Sequence, residues 1–269
     1  MESKTCCWIC NKIADSAEHR IKKSDLVNLY GSGSYKGENS VVLIRGGQES
    51  KVQGPNSKIV KYKKNLCSKC NNEFSQPFDK SYEHFITYIR QNKDLILKRR
   101  FIDFQDVYDD EFEVSQRNLY KYFVKSLGCR LANDGYPIPK DMPALLPKKQ
   151  FRTRLRITFA VSEDLLLFTE IKTAGKGNLK TFAPVSETRP TWLEKWRAKK
   201  HGRTRPFEYQ WSENFEWLYV WYWYNITPNG NLGSTWIADS RYVYLGSYEI
   251  LSDEEKQKIV ERSKLSGDE

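Results

Sequence analysis

Two short stretches decide how the first part of this chain folds, Cys7-Trp8-Ile9-Cys10 and Cys67-Ser68-Lys69-Cys70. In each stretch, two cysteines with two residues between them can direct their thiolates at one metal ion. Two such pairs complete a tetrahedral site of four sulfurs, so the sequence predicts a structural Zn²⁺ ion bound by Cys7, Cys10, Cys67 and Cys70. The 56 residues between the pairs exceed the usual spacing in zinc modules, and the alternative is four buried, inert thiols.

The two remaining cysteines have other expected roles. Cys6 is an alternative to Cys7, although the three residues between Cys6 and Cys10 suit a shared ion less well. Cys129 lies in an apolar stretch with helical spacing, and we expect it in the core. The sequence has neither a secretory signal pattern nor an apolar run of the ~18–20 residues that a membrane span needs. We therefore expect a soluble, cytoplasmic protein without disulfides.

Polar side chains follow each cysteine pair closely. Glu18 and His19 come shortly after Cys10, and Asn71, Asn72 and Glu73 come directly after Cys70. Binding of all four cysteines to one ion would bring these groups together. Carboxylate and carboxamide oxygens suit a hard divalent cation, and a free imidazole can deprotonate water.

This arrangement resembles the HNH (ββα-metal) endonucleases that carry a four-cysteine zinc knuckle, and the resemblance covers about residues 5–90. It implies a β-hairpin joined by zinc to a short helix. It also implies that Glu18 and Asn71 bind a catalytic Mg²⁺ or Mn²⁺ ion and that His19 is the general base. Activated water would then attack a DNA phosphodiester.

The sequence differs from the family pattern in three ways. The segment between His19 and the second cysteine pair is long, Asn65 lies only two residues before Cys67, and Glu18 stands where Asp or His is more familiar. Four residues are therefore secondary candidates for the site: Asn65, Asn72, Glu73 and His84.

Positive charge is concentrated in the first 160 residues. The net charge is +10 for the whole chain, +9 for residues 1–100, −6 for 101–113, +8 for 114–160 and −1 for 161–269. A basic excess of this size suits a polyanion, and we expect DNA as a partner. The expected nucleic-acid contacts are Lys22, Lys23, Lys69, Arg152, Arg154, Arg156, Lys195, Arg197, Lys199, Lys200 and Arg203.

The predicted fold class is α+β, with a zinc-stapled ββα-metal domain followed by a β-rich α+β domain. The predicted domains are residues 1–100 (nuclease), 101–150 (acidic linker, helix and Pro-rich loop) and 151–269 (recognition of substrate or partner). Apolar periodicity predicts helices over Asp79–Gln91 and Val114–Leu131, and the capping pattern Ser252-Asp253-Glu254-Glu255 predicts a last helix that ends at about Ser263. Strands are predicted at Val41–Ile44, Lys58–Tyr62, Arg156–Val161, Leu165–Ile171, Phe215–Ile226, Ser234–Ala238 and Arg241–Ile250.

Three functional hypotheses follow. The first is a metal-dependent DNA endonuclease of a restriction-type or anti-phage defence system, acting as a monomer or a homodimer. The second is a non-catalytic zinc protein that binds nucleic acid. The third is a nuclease effector controlled by a regulatory protein, in which the acidic run 103–113 contributes to the inactive state.

Overall fold

A long buried helix and a five-stranded sheet enclose most of the apolar core. The computed structural model describes residues 5–36, 40–45, 48–148, 153–170, 186–187 and 208–265. The helices are α1 (Lys23–Tyr30), α2 (Gln76–Gln91), α3 (Lys93–Arg99), α4 (Phe104–Tyr108), α5 (Phe112–Asp134), α6 (Asp141–Leu145), α7 (Glu163–Glu170) and α8 (Asp253–Leu265). The strands are β1 (Val41–Arg45), β2 (Gln48–Val52), β3 (Phe101–Asp103), β4 (Leu155–Ser162), β5 (Ser186–Glu187), β6 (Tyr209–Phe215), β7 (Leu218–Tyr224), β8 (Tyr242–Tyr244) and β9 (Gly246–Tyr248).

Helix α5 lies at the centre of the core. Its 23 residues are buried on most sides, including the charged Lys125 and Arg130. Helix α2 packs along α5, where the rings of Tyr82 and Tyr122 stack at a centroid distance of 4.0 Å. The predicted helices over residues 79–91 and 114–131 are confirmed, because apolar residues at helical spacing are buried in both.

The large sheet has the strand order β5-β6-β7-β4-β9. Neighbouring strands are antiparallel except β4 and β9, which are parallel. One face presents Phe159, Trp211 and Tyr222 to the core around α5, together with Trp236 from a following loop. The other face presents Tyr219 and Trp223 to a second, smaller apolar cluster. The structure is therefore a mixed α+β fold.

Four predicted strands differ from the observed elements. Leu165–Ile171 is predicted as a strand, but the chain is helical over Glu163–Glu170. Lys58–Val60 forms a single 3₁₀ turn, and Trp236 forms only an isolated bridge to Ile157 in place of a strand over Ser234–Ala238. Phe215–Ile226 is not one strand, because the chain reverses at Glu216 and Trp217, between β6 and β7.

Other elements agree with the predictions or refine them. Strand β1 covers the predicted Val41–Ile44, and α8 begins after Ser252, whose hydroxyl accepts a hydrogen bond from the Glu255 amide. The predicted strand over Arg241–Ile250 divides into β8 and β9. No helix within the described ranges has both the length and the apolar character needed to cross a membrane.

Contacts cross the predicted domain boundaries. Strand β3 pairs with β8, and one continuous apolar cluster contains residues from Ile21 to Leu245. The acidic run 103–113 is folded as part of β3, α4, a 3₁₀ turn and the start of α5. The division at residues 100 and 150 stays a prediction.

Candidate metal centre and adjoining polar site

The four predicted cysteines lie together. The sulfur atoms of Cys7, Cys10, Cys67 and Cys70 all lie within 4.8 Å of one another, and Cys10 Sγ is 3.6 Å from Cys67 Sγ. A tetrahedral ion with Zn–S bonds of about 2.3 Å places its sulfurs about 3.8 Å apart. The four sulfurs can therefore bind a metal ion such as zinc. Within the described part of the chain, this is the one group of at least three His, Cys, Asp or Glu side chains with such spacing.

Local hydrogen bonds shape the first cysteine pair. The Cys7 amide donates to Lys12 O at 2.6 Å, and the Asn11 amide donates to Cys7 O at 2.8 Å. Asn11 has a positive φ of 61°, which asparagine tolerates better than most residues. This tight turn presents both sulfurs on one side. Cys7 rather than Cys6 belongs to the cluster.

The thiols of the cluster differ in their proton affinity. Burial raises the pKa of Cys7 and of Cys70. Although burial opposes the change, hydrogen bonds from the Lys12 backbone and from neighbouring sulfurs lower the pKa of Cys10 to about 7. Thiolates are the form that binds a metal ion, so ion binding at neutral pH requires Cys7 and Cys70 to release their protons.

Backbone pairing joins the segment after the first cysteine pair to the segment before the second. Ser16 pairs with Leu66 and His19 pairs with Lys61 in antiparallel bridges. The Tyr62 amide donates to Glu18 O at 2.9 Å. The stretch after the first cysteine pair therefore lies beside the stretch that leads into the second, as the sequence predicts.

His19 and Asn71 each carry a buried polar atom without a hydrogen-bond partner among the described residues. Asn71 Nδ2 donates to Ser16 Oγ at 2.9 Å, which fixes the amide beside the segment that leads to His19. Asn71 Oδ1 and His19 Nε2 are buried and have no hydrogen-bond partner among the described residues. Burial, followed by the positive charge of Lys61, lowers the pKa of His19. A neutral imidazole with a free nitrogen is the form that accepts a proton.

Glu18 belongs to a buried ion-pair network. Its Oε2 lies 2.8 Å from Nζ of Lys125, whose side chain is only 1% exposed. The same Nζ lies 3.2 Å from Asp79 Oδ2 and donates to Ser75 Oγ at 2.9 Å. Burial alone would lower the pKa of Lys125, but the carboxylates of Glu18 and Asp79 raise it above its usual range. The lysine is therefore charged and holds both carboxylates.

The network also reaches Asn71. Ser75 Oγ donates to Asn71 O at 2.8 Å, so Glu18 and Asn71 are joined through Lys125 and Ser75. Sequence reasoning missed Asp79, Ser75 and Lys125. A signal was available, since Lys125 follows Tyr122 by three residues and precedes Cys129 by four, on a predicted apolar stripe. A lysine on such a stripe needs a buried acidic partner.

The secondary candidates separate into two groups. Asn65 is buried, and its Nδ2 donates to Cys129 O at 2.8 Å, which ties the second cysteine pair to α5. Trp8 Nε1 donates to Cys129 Sγ at 3.4 Å, which confirms Cys129 as a core residue. Asn72, Glu73 and His84 are exposed, and the His84 ring contacts Tyr108 edge-on.

The predicted phosphate contacts differ in how accessible they are. Lys22 Nζ lies 2.9 Å from Asp79 Oδ1 and 3.6 Å from Glu83 Oε1, so its charge is partly offset. The exposed members are Lys23, Lys69, Arg154 and Arg156. The remaining members lie outside the described residues: Arg152, Lys195, Arg197, Lys199, Lys200 and Arg203.

Two carboxylates of the acidic run 103–113 form ion pairs with arginines. Asp103 contacts Arg241 at 2.6 Å, and Asp106 contacts Arg99 at 3.1 Å. These described carboxylates thus face arginines outside the candidate site.

No family model, curated protein or solved structure matches this chain. Its function is therefore inferred from its own residues.

Proposed function

We propose that this chain is a metal-dependent HNH-type endonuclease that hydrolyses DNA phosphodiester bonds. The observation that supports the proposal most directly concerns His19 and Asn71: Asn71 directly follows Cys70 of the four-cysteine cluster, and His19 lies in the segment whose backbone pairs with Lys61 and Leu66, just before Cys67. Each has a buried polar atom without a partner among the described residues. An unsatisfied buried polar atom costs ~1–3 kcal/mol of folding stability. We therefore assign the unpaired atoms of His19 and Asn71 to ligand binding rather than to a structural role.

The proposed catalytic ion has a plausible donor set. Asn71 Oδ1 has no hydrogen-bond partner among the described residues, and the contact with Lys125 involves only one carboxylate oxygen of Glu18, Oε2. Glu18 and Asn71 would hold Mg²⁺ or Mn²⁺, with water completing the shell. When bound, this ion would offset the charge that develops on the scissile phosphate and its leaving oxygen.

The protein's own groups supply the remaining chemistry. His19 Nε2 accepts a proton from the attacking water, and the lowered pKa keeps the imidazole neutral at pH 7. Lys125 fixes the position of Glu18 through their 2.8 Å ion pair. The exposed Lys23 and Lys69 lie close in sequence to the site and would contact flanking phosphates.

Cleavage assays with paired variants test the proposal. Zinc-loaded protein is incubated with supercoiled, linear and single-stranded DNA in the presence of Mg²⁺ or Mn²⁺. We expect cleavage by the wild type, loss of at least ~100-fold in rate for His19→Ala, and near-normal rates for the matched surface variant Asn72→Ala. If neither the wild type nor His19→Ala cleaves any of these substrates, the proposal that the chain is a nuclease is refuted.

One observation favours a second candidate, a non-catalytic zinc protein that binds nucleic acid. The ammonium of Lys125 already compensates the carboxylate that the proposed cation needs. On this alternative, DNA binding depends on salt and on Lys23 and Lys69, and no divalent cation changes it. A gel-shift titration with and without Mn²⁺ separates the two candidates.

A further inference from the structure

The two-stranded ribbon formed by β3 and β8 presents large aromatic rings to solvent. Its register pairs Phe101 with Tyr244 and Asp103 with Tyr242, so these four side chains share one face of the ribbon. The residues between them, one on each strand, are buried in the core. Tyr242 is 41% exposed and Tyr244 is 61% exposed, although both lie on a regular strand. The face is therefore an accessible aromatic surface.

The rings of this surface touch one another and stand on a fixed frame. The Phe101 ring centroid lies 5.8 Å from that of Tyr242 and 5.9 Å from that of Tyr244. On the other edge of β8, the Ser234 amide donates to Tyr244 O at 2.9 Å, and the Tyr244 amide donates to Ser234 Oγ at 2.8 Å. Binding to such a surface costs little ordering of the protein. Tyrosine is also enriched among the residues that anchor protein interfaces.

Cations already stack on two of the three rings. The guanidinium carbon of Arg241 lies 4.9 Å from the centroid of the Tyr242 ring, and that of Arg99 lies 5.9 Å from the centroid of the Phe101 ring. Within the described part of the chain, no cation lies over Tyr244, the most exposed ring of the three. An arginine or lysine from a partner can therefore make on Tyr244 the contact that the chain itself makes twice.

The charge beside the ribbon is negative. Its two stacked arginines are paired with Asp103 and Asp106, so their charge is offset. The run 103–113 has six carboxylates and no basic side chain. Its exposed 3₁₀ turn, Asp109–Glu111, forms no ion pair with the described residues and follows β3 after the five residues of α4, a length of about 7.5 Å. This charge favours a basic partner and disfavours the phosphates of a nucleic acid.

We propose that the exposed face of the β3–β8 ribbon docks a basic peptide segment of a partner protein. One arginine or lysine of the segment stacks on the Tyr244 ring, and further basic side chains pair with the carboxylates of Asp109–Glu111. Bases of a single-stranded nucleic acid also stack on tyrosine, but their phosphates would face the acidic run. The inference does not depend on the proposed nuclease activity, because the ribbon contains none of its residues.

The experiment measures the fluorescence anisotropy of a labelled octapeptide of alternating arginine and glycine, titrated with the full-length zinc-loaded protein at physiological salt. An octapeptide of alternating glutamate and glycine is the control for charge. We expect saturable binding of the basic peptide and none of the acidic one. Tyr244→Ser should weaken binding about fivefold, and Tyr244→Phe, which keeps the ring, should bind normally. The matched exposed variant Ile250→Ser lies outside the ribbon and should have no effect.

A second variant tests the part that charge plays. Asp109→Asn, Asp110→Asn and Glu111→Gln are combined in one protein, which should bind the basic peptide about tenfold more weakly and with less dependence on salt. These side chains are exposed, so the variant should melt at the temperature of the wild type. Unchanged affinity of this variant would contradict the pairing with the acidic turn.

Hydrogen exchange of the wild type locates the contact without any substitution. The basic peptide should slow exchange in residues 99–104 and 241–245, while residues 5–20 and 60–75 around the four cysteines keep their rates. Slowing confined to the cysteine region overturns the proposal.

Four results of the titration would also overturn it. These are a lack of saturation by the basic peptide, equal binding of the acidic peptide, unchanged binding by Tyr244→Ser, and equal losses for Tyr244→Ser and Tyr244→Phe. An oligothymidylate of eight nucleotides is titrated in parallel. If it binds the wild type and Tyr244→Ser abolishes that binding, the ribbon is a nucleic-acid surface and the peptide proposal is wrong.

Discussion

The region around the four cysteines and the core around α5 are both buried, but different forces hold them. The cysteine region has a small apolar cluster of its own, in which Tyr62 and Leu66 accompany the sulfurs, and it joins α5 through a few contacts such as Asn65 to Cys129. The α5 core contains many stacked aromatic rings, including Phe104 against Trp236. We therefore expect the cysteine region to depend on metal binding by its four sulfurs and on a few polar contacts, whereas the rest of the fold depends on apolar packing.

Loss of the metal ion is the strongest way to test this contrast. Cys67→Ser removes one of the four sulfur ligands and should reduce bound zinc from one ion per chain to near zero. The variant should then lose the binding free energy of structural zinc, which is on the order of 10 kcal/mol. Hydrogen exchange should then accelerate in residues 5–20 and 60–75, while strands β4 and β7 stay protected. Exchange is followed by mass spectrometry of peptides.

Trp236→Ala is the matched change in the other region. It should cost about 3–5 kcal/mol of unfolding free energy and should accelerate exchange in the sheet and α5. Identical exchange patterns for the two variants would show that the regions are not held separately.

The second prediction concerns the ion pairs that join the two regions. Lys125→Met leaves the carboxylates of Glu18 and Asp79 without their buried cation, and should cost roughly 3 kcal/mol. Lys121→Met on the same helix is the control, since Lys121 lies over the Phe78 ring and burial already lowers its pKa. Urea unfolding compares the two. Equal unfolding free energies of the two variants would contradict the role of Lys125 in positioning Glu18.

The third prediction addresses the packing of the first cysteine pair on α5. A Cβ at Gly128 would overlap the ring of Trp8. Gly128→Ala should therefore cost about 1–3 kcal/mol, even though alanine favours a helix, and should weaken zinc retention against a chelator. The reference for this variant is the wild type. Gly135→Ala is unsuitable as a control, because Gly135 has a positive φ of 78° and alanine would be strained there. A more stable Gly128→Ala protein would contradict this contact.

The smallest expected effect is on the pH dependence of folding stability, and it comes from an ion pair rather than from apolar packing. Arg241 holds the pKa of Asp103 below its usual range, so the ionised pair stabilises the fold above that usual value of about 4. The stabilisation is lost as pH falls through the lower pKa of the folded state. Because the Arg241 side chain is 40% exposed, solvent screens the pair and its contribution to stability is small.

Urea midpoints between pH 5 and pH 2 measure this effect. Asp103→Asn should flatten the acid dependence, whereas Asp106→Asn, in an exposed pair with Arg99, should leave it unchanged. An identical slope for wild type and Asp103→Asn would exclude the pair as its source.

What the sequence could predict follows from the range of each interaction. The C-x2-C spacing predicts how each pair of sulfurs points, because that geometry is local, and two pairs suffice to define the cluster. Helix periodicity predicts α2 and most of α5 for the same reason. The contacts of Lys125 with Glu18 and Asp79 were not predictable, because they join residues far apart in the chain.

The hairpin between β6 and β7 shows a different limit. Alternating aromatic residues continue through Phe215 and Trp217, so the pattern predicts one strand. The turn instead uses Glu216 at a φ of 55°, without glycine or asparagine, and the contact between Glu216 and Arg90 accompanies it. Helix α7 was missed because Leu165, Leu166 and Leu167 form an apolar run without helical spacing.

The most direct test of the central proposal is an anomalous-scattering map from crystals of the full chain grown with Zn²⁺ and Mn²⁺. We expect a zinc peak among the four cysteine sulfurs and a manganese peak in contact with Asn71 Oδ1 and a carboxylate oxygen of Glu18. A zinc peak alone, with Glu18 still paired only to Lys125 and Asn71 Oδ1 bound to water, would contradict it.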